Sequence, residues 1–486
     1  MRRRAGSHPA AATAGEPLRG PARLRSIQGL TRPADAFSPR ALQPILAPWL
    51  VSPPASPTTA PRLWVAFSGG LDSSVLLHAL AALQTELNGE LDPNRTWTLQ
   101  ALHLDHGLQQ VAADWSRHCT RVCAALDIPL TLRKLHLRPV PGESLEALAR
   151  AARYRTFAEL LAPGDLLATA QHRDDQAETL LLALLRGSGP HGLAAMPLAV
   201  PLGAGTLLRP LLGFSRASLA DYAHREGIRW IDDPSNGDPA FDRNRLRQQV
   251  MPLLRARWPA LDRTLARSAA HCAEAAGLLD AFADDALAEL AGSRPGTLHI
   301  DAVAALPGPR ARLVLRRWLM RDGFRPPGQR VLQRIIDEVL PARPDRSPCV
   351  AWPGCEVRRY RHDLFALPPL PPLPEPVLCW QAGRSLRLPD GLGELQLPRA
   401  VGRMDRLQVC FRREGLRCRQ ANGPSRALKQ VFQAAGVPAW LRPWVPLVLI
   451  DGQLGAVAGV SQCDPCLQGL RWQGHPWERF GLLVSD

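Results

Sequence analysis

The sequence predicts an α/β protein, with a Rossmann-like parallel-sheet domain followed by a helical middle domain and a small β-rich C-terminal domain. From Arg62 to Arg186, short apolar runs alternate with helical stretches, the pattern of βαβ units feeding a parallel sheet. Polar motifs follow the first, second and fourth runs, at the carboxyl ends of strands, where open α/β sheets bind ligands. Beyond Met251 the pattern changes. Ala-Leu-rich amphipathic segments at 259–291 and 308–340 are followed by prolines at 368–376, which read as a linker. A β-rich stretch with one helix, Arg426 to Ala435, comes after them. The implied boundaries are a disordered extension over 1–61, a ligand-binding α/β domain over 62–250, a helical domain over 251–367 and a C-terminal domain over 377–486.

The first run, Leu63 to Phe67, is the continuous apolar segment that a fully buried strand needs. Ser68-Gly69-Gly70-Leu71-Asp72-Ser73 follows it, and in the next stretch Val75, Leu76, Ala79 and Leu80 share a helical face. The glycines therefore sit at a strand-to-helix turn, where they admit φ > 0 and close approach of a ligand. Serine hydroxyls and the N–H groups of the helix's first turn converge on a spot that the helix dipole makes favourable for an anion. This is a phosphate cradle, but it lacks the Gly-Lys-Ser/Thr ending of a Walker A loop. Asp72 stands where that lysine would be, and an acid beside phosphates makes sense with Mg²⁺ between them. An ordinary Gly-Ser turn is the competing reading of the hexapeptide.

The second run, Thr98 to Leu104, leads into Asp105-His106-Gly107, and a helix follows from about Ala112 to Leu126. A third strand from Leu130 to Leu135 and a helix from about Glu143 to Leu161 precede the fourth strand, Leu166 to Ala170. His172-Arg173-Asp174-Asp175 then opens a helix running from Asp174 to Arg186. Glu178 lies one turn from Asp174 and Asp175, opposite a stripe of Ala177, Leu181, Leu184 and Leu185. Acids in a first turn complement the dipole; beside a phosphate loop they can instead hold Mg²⁺ or a substrate ammonium. Residues 187–210 are glycine-rich and read as a mobile loop of the kind that serves as a lid. The run Phe241-Asp242-Arg243-Asn244-Arg245-Leu246-Arg247 suits phosphate binding, with a solvated basic helix as the alternative.

Composition bears on partners. The formal net charge is +15 over 486 residues, and Lys134 and Lys429 are the sole lysines, so arginine carries it. Arginine favours bidentate phosphate contacts and points to a nucleic-acid partner, although the residue usage of a GC-rich genome produces the same excess. Residues 401–486 hold eleven basic side chains against six acidic ones, a positive appendage suited to a polyanion. Residues 1–61 carry eight arginines against Glu16 and Asp35 among prolines and alanines, and bury too little apolar surface to fold alone. Ten cysteines without even spacing exclude a secreted disulfide framework. Cys463-Asp464-Pro465-Cys466 lacks a second pair at metal-ligand spacing, and Cys119 and Cys123, one turn apart, read as packing residues. No run is long and apolar enough to span a membrane, and the expected compartment is a reducing cytoplasm.

SGGLDS after a strand resembles the PP-loop of the ATP pyrophosphatases. With HLDHGL at 103–108, LARAARYRTF at 148–157, AQHRDDQAETLLLALLRGSGPHGLAAM at 170–196, DDPSNGDPAFDRNRLRQQVMP at 232–252 and LKQVFQAAGVPAWLRPWVPLVLIDGQLGAVAG at 428–459, the chain is similar to the tRNA(Ile)-lysidine synthases over about residues 62–480. Gln171 stands where many relatives have a second histidine, and the N-terminal extension lies outside the pattern. The resemblance implies ATP and Mg²⁺ as cofactors, and isoleucine tRNA with a CAU anticodon and L-lysine as partners. The cytosine C2 oxygen at the first anticodon position would attack the α-phosphorus of ATP, and the lysine ε-amine would then displace AMP. Lysidine results, and codon reading moves from AUG to AUA.

Carried onto this chain, the resemblance puts Ser68, Gly69, Gly70, Leu71 and Ser73 around pyrophosphate and Asp72 on Mg²⁺, with Asp174 a second Mg²⁺ ligand. Asp105 and His106 would lie near the nucleotide or the base, and Asp175 and Glu178 on the lysine ammonium. Arg150 or Arg153 would meet its carboxylate or the adenylate, and Arg243, Asn244, Arg247 and Lys429 the tRNA. No enzyme nucleophile is required, in keeping with the lack of a Gly-x-Ser-x-Gly elbow. One rival is a tRNA-thiolating PP-loop enzyme, which would need cysteines near the nucleotide. Another is a tRNA-binding protein without catalysis, against which the intact acidic motifs argue. A homodimer is left open.

Overall fold

The computed structural model describes residues 36–50, 62–88, 97–105, 112–135, 145–232, 242–343, 346–374, 377–381, 383–397, 407–413, 415–419 and 424–483. They fall into two compact units, Leu24–Leu278 and Leu279–Asp486. Among the described residues no helix is long and apolar enough to cross a membrane.

In the first unit, α1 (Gln43–Leu50) precedes β1 (Arg62–Ala66), α2 (Leu71–Asn88), β2 (Thr98–Asp105), α3 (Ala112–Ala125), β3 (Leu130–Lys134), α4 (Leu145–Leu160), β4 (Leu166–Ala168) and α5 (Arg173–Leu185). A short α6 (Pro190–Leu193), the hairpin β5 (Ala199–Leu202) and β6 (Gly205–Leu208), α7 (Arg216–Arg225), α8 (Asp242–Arg245), α9 (Met251–Arg257) and the long α10 (Leu261–Glu289) complete it. The strands form one six-stranded sheet in the order β3-β2-β1-β4-β6-β5, parallel except for β5. The order reverses between β1 and β4, and such a switch point opens a crevice at the strands' carboxyl ends. Leu63, Val65 and Phe67 are buried, as are Val75, Leu76, Ala79 and Leu80 on the face α2 turns to the sheet.

Two expectations are corrected here. Residues 36–50, placed in a disordered extension, form a 3₁₀ turn (Pro39–Leu42) and α1, with Phe37, Leu42 and Leu46 buried in the sheet's main core cluster. Phe37 meets Phe214 and Tyr222 edge-on at 5.0 and 5.1 Å, a partner set that composition alone does not reveal. Residues 187–210, expected to be a mobile lid, are fastened. The Gln176 amide both donates to Met196 O (2.8 Å) and accepts from Met196 N (2.9 Å), and Arg209 donates to Pro197 O (2.8 Å). The stretch also holds α6 and the β5–β6 hairpin, which extends the sheet by two strands.

The second unit begins inside α10 and continues with β7 (Leu298–His299), α11 (Ile300–Ala304), α12 (Gly308–Arg321), α13 (Gln329–Arg334), β8 (Cys349–Trp352), β9 (Cys355–Tyr360) and β10 (Asp363–Leu367). Then follow β11 (Leu378–Trp380), β12 (Leu386–Arg387), β13 (Glu394–Gln396), β14 (Leu407–Cys410), β15 (Arg417–Cys418), β16 (Arg426–Ala427), α14 (Leu428–Ala434), β17 (Leu447–Ile450), β18 (Gln453–Val457), β19 (Ser461–Gln462) and β20 (Arg471–Gln473). Two core clusters meet at β10, just before the prolines at 368–374: Leu364 and Ala366 pack in one, Phe365 and Leu367 in the other. β10 is buried along its whole length, and its Phe365 belongs to the C-terminal cluster, 5.7 Å from Trp440 and 5.1 Å from Phe480. Trp444 Nε1 donates to Pro371 O at 3.0 Å. Cys418 and Cys463 are joined in a disulfide, a pairing their spacing did not suggest.

Candidate active site

Gly69 carries φ +83°, and its carbonyl accepts from Ile231 N at 2.9 Å, which turns the chain sharply from β1 into α2. A Cβ at this position would lie 3.0 Å from Cys119 Sγ and 3.4 Å from His118 Cδ2, so only glycine fits. The serines brace the turn. Ser68 Oγ lies 3.0 Å from Ser73 Oγ, Ser73 Oγ donates to Gly70 O at 3.0 Å, and Gly70 N donates to Ser68 Oγ at 3.4 Å. Beneath the loop, His103 Nδ1 lies 2.9 Å from Phe67 O and ties β2 to the end of β1. Because α2 starts at Leu71, the N–H groups of its first turn have no intrahelical acceptor, the arrangement that receives phosphate oxygens.

The hub of the site is His172, a residue the motif contained but to which no role was assigned. It is 2% exposed and caps α5, with Nδ1 accepting from Asp175 N (3.4 Å) while Asp175 Oδ2 accepts from His172 N (3.1 Å). Its Nε2 lies 3.6 Å from Asp72 Oδ2 and 3.3 Å from Asp175 Oδ2, and so joins the phosphate loop to the acidic helix. Burial alone would lower the His172 pKa, but the contact with Asp72 and the charges of Asp175 and Asp174 hold it above its ordinary value. Burial would likewise raise Asp72, yet His172, Arg216 and Arg247 together keep its carboxyl below the usual carboxylate range. Asp72 Oδ1 is buried without a hydrogen-bond partner, an orphaned acceptor beside the phosphate cradle.

The other acids are engaged. Glu178, 1% exposed, accepts from Arg243 Nε (2.8 Å), Arg247 Nε (2.6 Å) and Arg247 NH2 (2.8 Å). Asp175 Oδ1 accepts from Arg247 NH2 at 2.8 Å and, more loosely, from Arg243 NH2 at 3.3 Å. Burial opposes the Arg247 charge, but Glu178 and then Asp175 and Asp72 hold it more firmly protonated than usual. Arg247 sits in a π-helical turn, Leu246–Val250, between α8 and α9, an irregularity frequent at functional sites. Asp174 ties neighbouring elements together, accepting from Arg216 N and from Arg255 NH2, both at 3.1 Å; Arg255 also pairs with Asp262.

The structure thus brings Ser68, Gly69, Gly70, Asp72, Ser73, Asp174, Asp175, Glu178, Arg243 and Arg247 to the carboxyl ends of β1 and β4. Asp105 ends the adjacent β2, its carbonyl accepting from Leu135 N at 2.8 Å, and Asn244 is half-buried on α8. His106 lies outside the described residues. Arg150 and Arg153 are exposed on α4, and Arg150 stacks on Tyr154 at 5.1 Å. Lys429 belongs to the second unit, where it lines a 550 Å³ cavity with Arg412, Arg413, Arg417 and Arg442. Cys119 lies under the phosphate loop, but it is fully buried and burial pushes its thiol up to about 12, so it offers no thiolate.

A family model described as a PP-loop domain matches residues 42–254, one described as the TilS substrate binding domain matches 298–365, and one described as the TilS substrate C-terminal domain matches 407–472. The tRNA(Ile)-lysidine synthase of Methylococcus capsulatus is 45% identical over 406 residues, 81% of this chain and 90% of its own. That of Serratia proteamaculans is 43% identical over 427 residues (86% and 96%), and that of Escherichia coli O157:H7 42% over 410 residues (82% and 92%). A solved U34-tRNA thiolase from Methanococcus maripaludis superposes on 49% of this chain and 78% of its own, at TM-score 0.38 and 15% identity.

Proposed function

The chain belongs to the tRNA(Ile)-lysidine synthase family, and from that membership we propose that it ligates L-lysine to C2 of the first anticodon cytidine of isoleucine tRNA, with ATP cleaved to AMP and pyrophosphate. The observation that carries the reading onto this chain's own residues is the His172 bridge. Through contacts of 3.6 and 3.3 Å it sets the acids of α5 beside a phosphate loop, at the switch point of a parallel sheet.

In this reading the first turn of α2 and Ser68 and Ser73 receive the pyrophosphate oxygens as the tRNA base attacks the α-phosphorus. The base and the lysine amine supply both nucleophiles, so the protein's work is to position them and offset charge. The orphaned Asp72 Oδ1 fits a divalent cation, and Asp72 would hold Mg²⁺, which supplies positive charge to the phosphates. Asp174, already bound to Arg216 and Arg255, suits a bracing role better than a metal-ligating one. For the lysine ammonium, Asp175 is the better placed acid. Its 3.3 Å contact with Arg243, which is about one-third exposed, is the longer of its two arginine contacts and the one an ammonium would replace. Glu178, wrapped by two guanidinium groups, holds Arg243 and Arg247 at that spot. The basic cavity around Lys429 would take tRNA phosphates.

A thiolating role is disfavoured by the chemistry of Cys119, the cysteine beneath the loop, whose thiol stays protonated. Incubation with ATP, labelled lysine and total tRNA followed by nucleoside analysis tests the reading, and labelled lysidine is the expected product. Asp72→Ala should abolish tRNA-dependent pyrophosphate release; normal release from that variant would overturn the assignment of Asp72.

A further inference from the structure

The 550 Å³ cavity of the second unit is lined by Arg412, Arg413, Arg417, Lys429 and Arg442, with no acid among the described residues that line it. Its floor is apolar, formed by Leu416, Phe432 and Leu447. Five cations around an apolar floor repel one another unless an anion enters, so their spacing must be held by the backbone that carries them. On the Lys429 side that support is ample: α14 packs Phe432 into the core, and Leu447 opens β17 in the middle of the five-stranded sheet.

Arg417 is held by a shorter element. Arg417 opens β15, whose ladder with β16 consists of two residue pairs, Arg417↔Ala427 and Cys418↔Arg426. Arg417 is itself bonded across this ladder, to Ser425 Oγ at 3.0 Å and Ser425 O at 2.9 Å. A two-stranded ladder of this length is marginal unless it is fastened to something larger. Besides packing against β18 and α14, the covalent fastening of β15 is the Cys418–Cys463 disulfide. Cys418 is 2% exposed, its Cα lies 5.4 Å from that of Cys463, and Cys463 directly follows β19. Cys463 N and Asp464 N both donate to Gly455 O of β18 at 2.8 Å, so the far end of the bridge is anchored in the five-stranded sheet. Cys466 lies three residues on, where the Asp464 carboxylate raises its thiol and disfavours the attacking thiolate.

We propose that Cys418 and Cys463 are a reversible thiol–disulfide couple that sets the anion affinity of the Arg417–Lys429 cavity. This rests on the reading that the cavity takes tRNA phosphates. Closure consumes two protein thiols and one low-molecular-weight disulfide such as glutathione disulfide, giving the protein disulfide and two molecules of glutathione. In the closed state β15 is pinned and Arg417 stands at the cavity wall. In the open state only the short ladder, the bonds to Ser425 and packing against β18 and α14 hold it, and any added cost of ordering Arg417 around a phosphate is charged against binding.

The test uses the full chain, equilibrated with glutathione disulfide or with dithiothreitol. Alkylation mass shifts count the free thiols, and fluorescence anisotropy at fixed salt reports the affinity for isoleucine tRNA. The oxidised protein is expected to bind about tenfold tighter than the reduced one, the equivalent of one charge-assisted hydrogen bond. Cys418→Ser should bind like the reduced protein under both conditions. Equal affinities in the two states, or failure of glutathione disulfide to close the pair, overturns the proposal. Loss of tRNA binding in every state would instead strike the functional reading beneath it, and lysidine formation by the same samples separates the two cases.

Discussion

Gly69→Ala is the most informative single change at the phosphate loop, because the structure lets its cost be divided. An L-residue at φ +83° costs about 1–2 kcal/mol from the clash of its own Cβ with the backbone. The same Cβ would stand 3.0 Å from Cys119 Sγ, inside van der Waals contact, and forcing it in adds about 1–3 kcal/mol of overpacking. The total, about 2–5 kcal/mol, should appear as faster opening of the β1 and α2 amides in native-state hydrogen exchange, which reads the unit that carries the loop. Cys119→Ala removes the obstructing sulfur and alone should cost about 1 kcal/mol through the small void it leaves. In the double variant the steric part disappears while the backbone part stays, so the pair should be more stable than additivity predicts by at least about 1 kcal/mol. Strict additivity would refute the argument, since it would mean that Gly69 is needed for its φ alone and that Cys119 is a bystander.

Further outcomes follow from packing and charge. Glu178→Ala strips two guanidinium groups of a buried partner and should cost about 2–3 kcal/mol in urea denaturation, below the usual figure for a broken buried pair because Arg243 and Arg247 are about one-third exposed; Glu178→Gln, which keeps the acceptor and the shape, should recover part of the loss. His475 is buried and its pKa is pushed down to about 4 by desolvation, so the folded state keeps it neutral while the unfolded chain protonates near 6.5. Its contribution is therefore complete above about pH 6.5 and lost as pH falls towards 4, up to about 3 kcal/mol; His475→Phe should flatten that part of the stability–pH curve measured in urea. Leu46→Ala should destabilise the first unit by about 2–4 kcal/mol in thermal or urea melts, since Leu46 is 1% exposed in its core; an effect below 0.5 kcal/mol would show that α1 is dispensable.

The sheet and the location of the site were legible because both are written in local patterns. Leu63 to Phe67 has the pattern of a buried strand, and the polar motifs after the first, second and fourth runs point to one edge of a sheet, which weighs against an ordinary Gly-Ser turn at Gly69-Gly70. What stayed hidden depends on contacts distant in sequence. Glu178 and its arginines are 65 and 69 residues apart, so the acids and bases read as separate binding groups prove to be one another's partners. His172 looks like the residue before a helix until the fold brings Asp72 to it across 100 positions. Phe37, Leu42 and Leu46 sit in a Pro- and Arg-rich stretch whose composition argues for disorder, and only the groove beside Phe214 and Tyr222 gives them a place to pack. Nothing in the Cys463-x-x-Cys466 spacing points to Cys418, the partner of Cys463, which lies 45 residues away on β15.

The double grip of the Gln176 side chain on Met196 bears on how the enzyme turns over. A segment clamped through both its donor and its acceptor does not swing open and shut with each cycle. Reactants then come and go past this stretch without waiting for it, and tightening or loosening it by mutation should alter how well the acidic helix is aligned rather than how fast products escape.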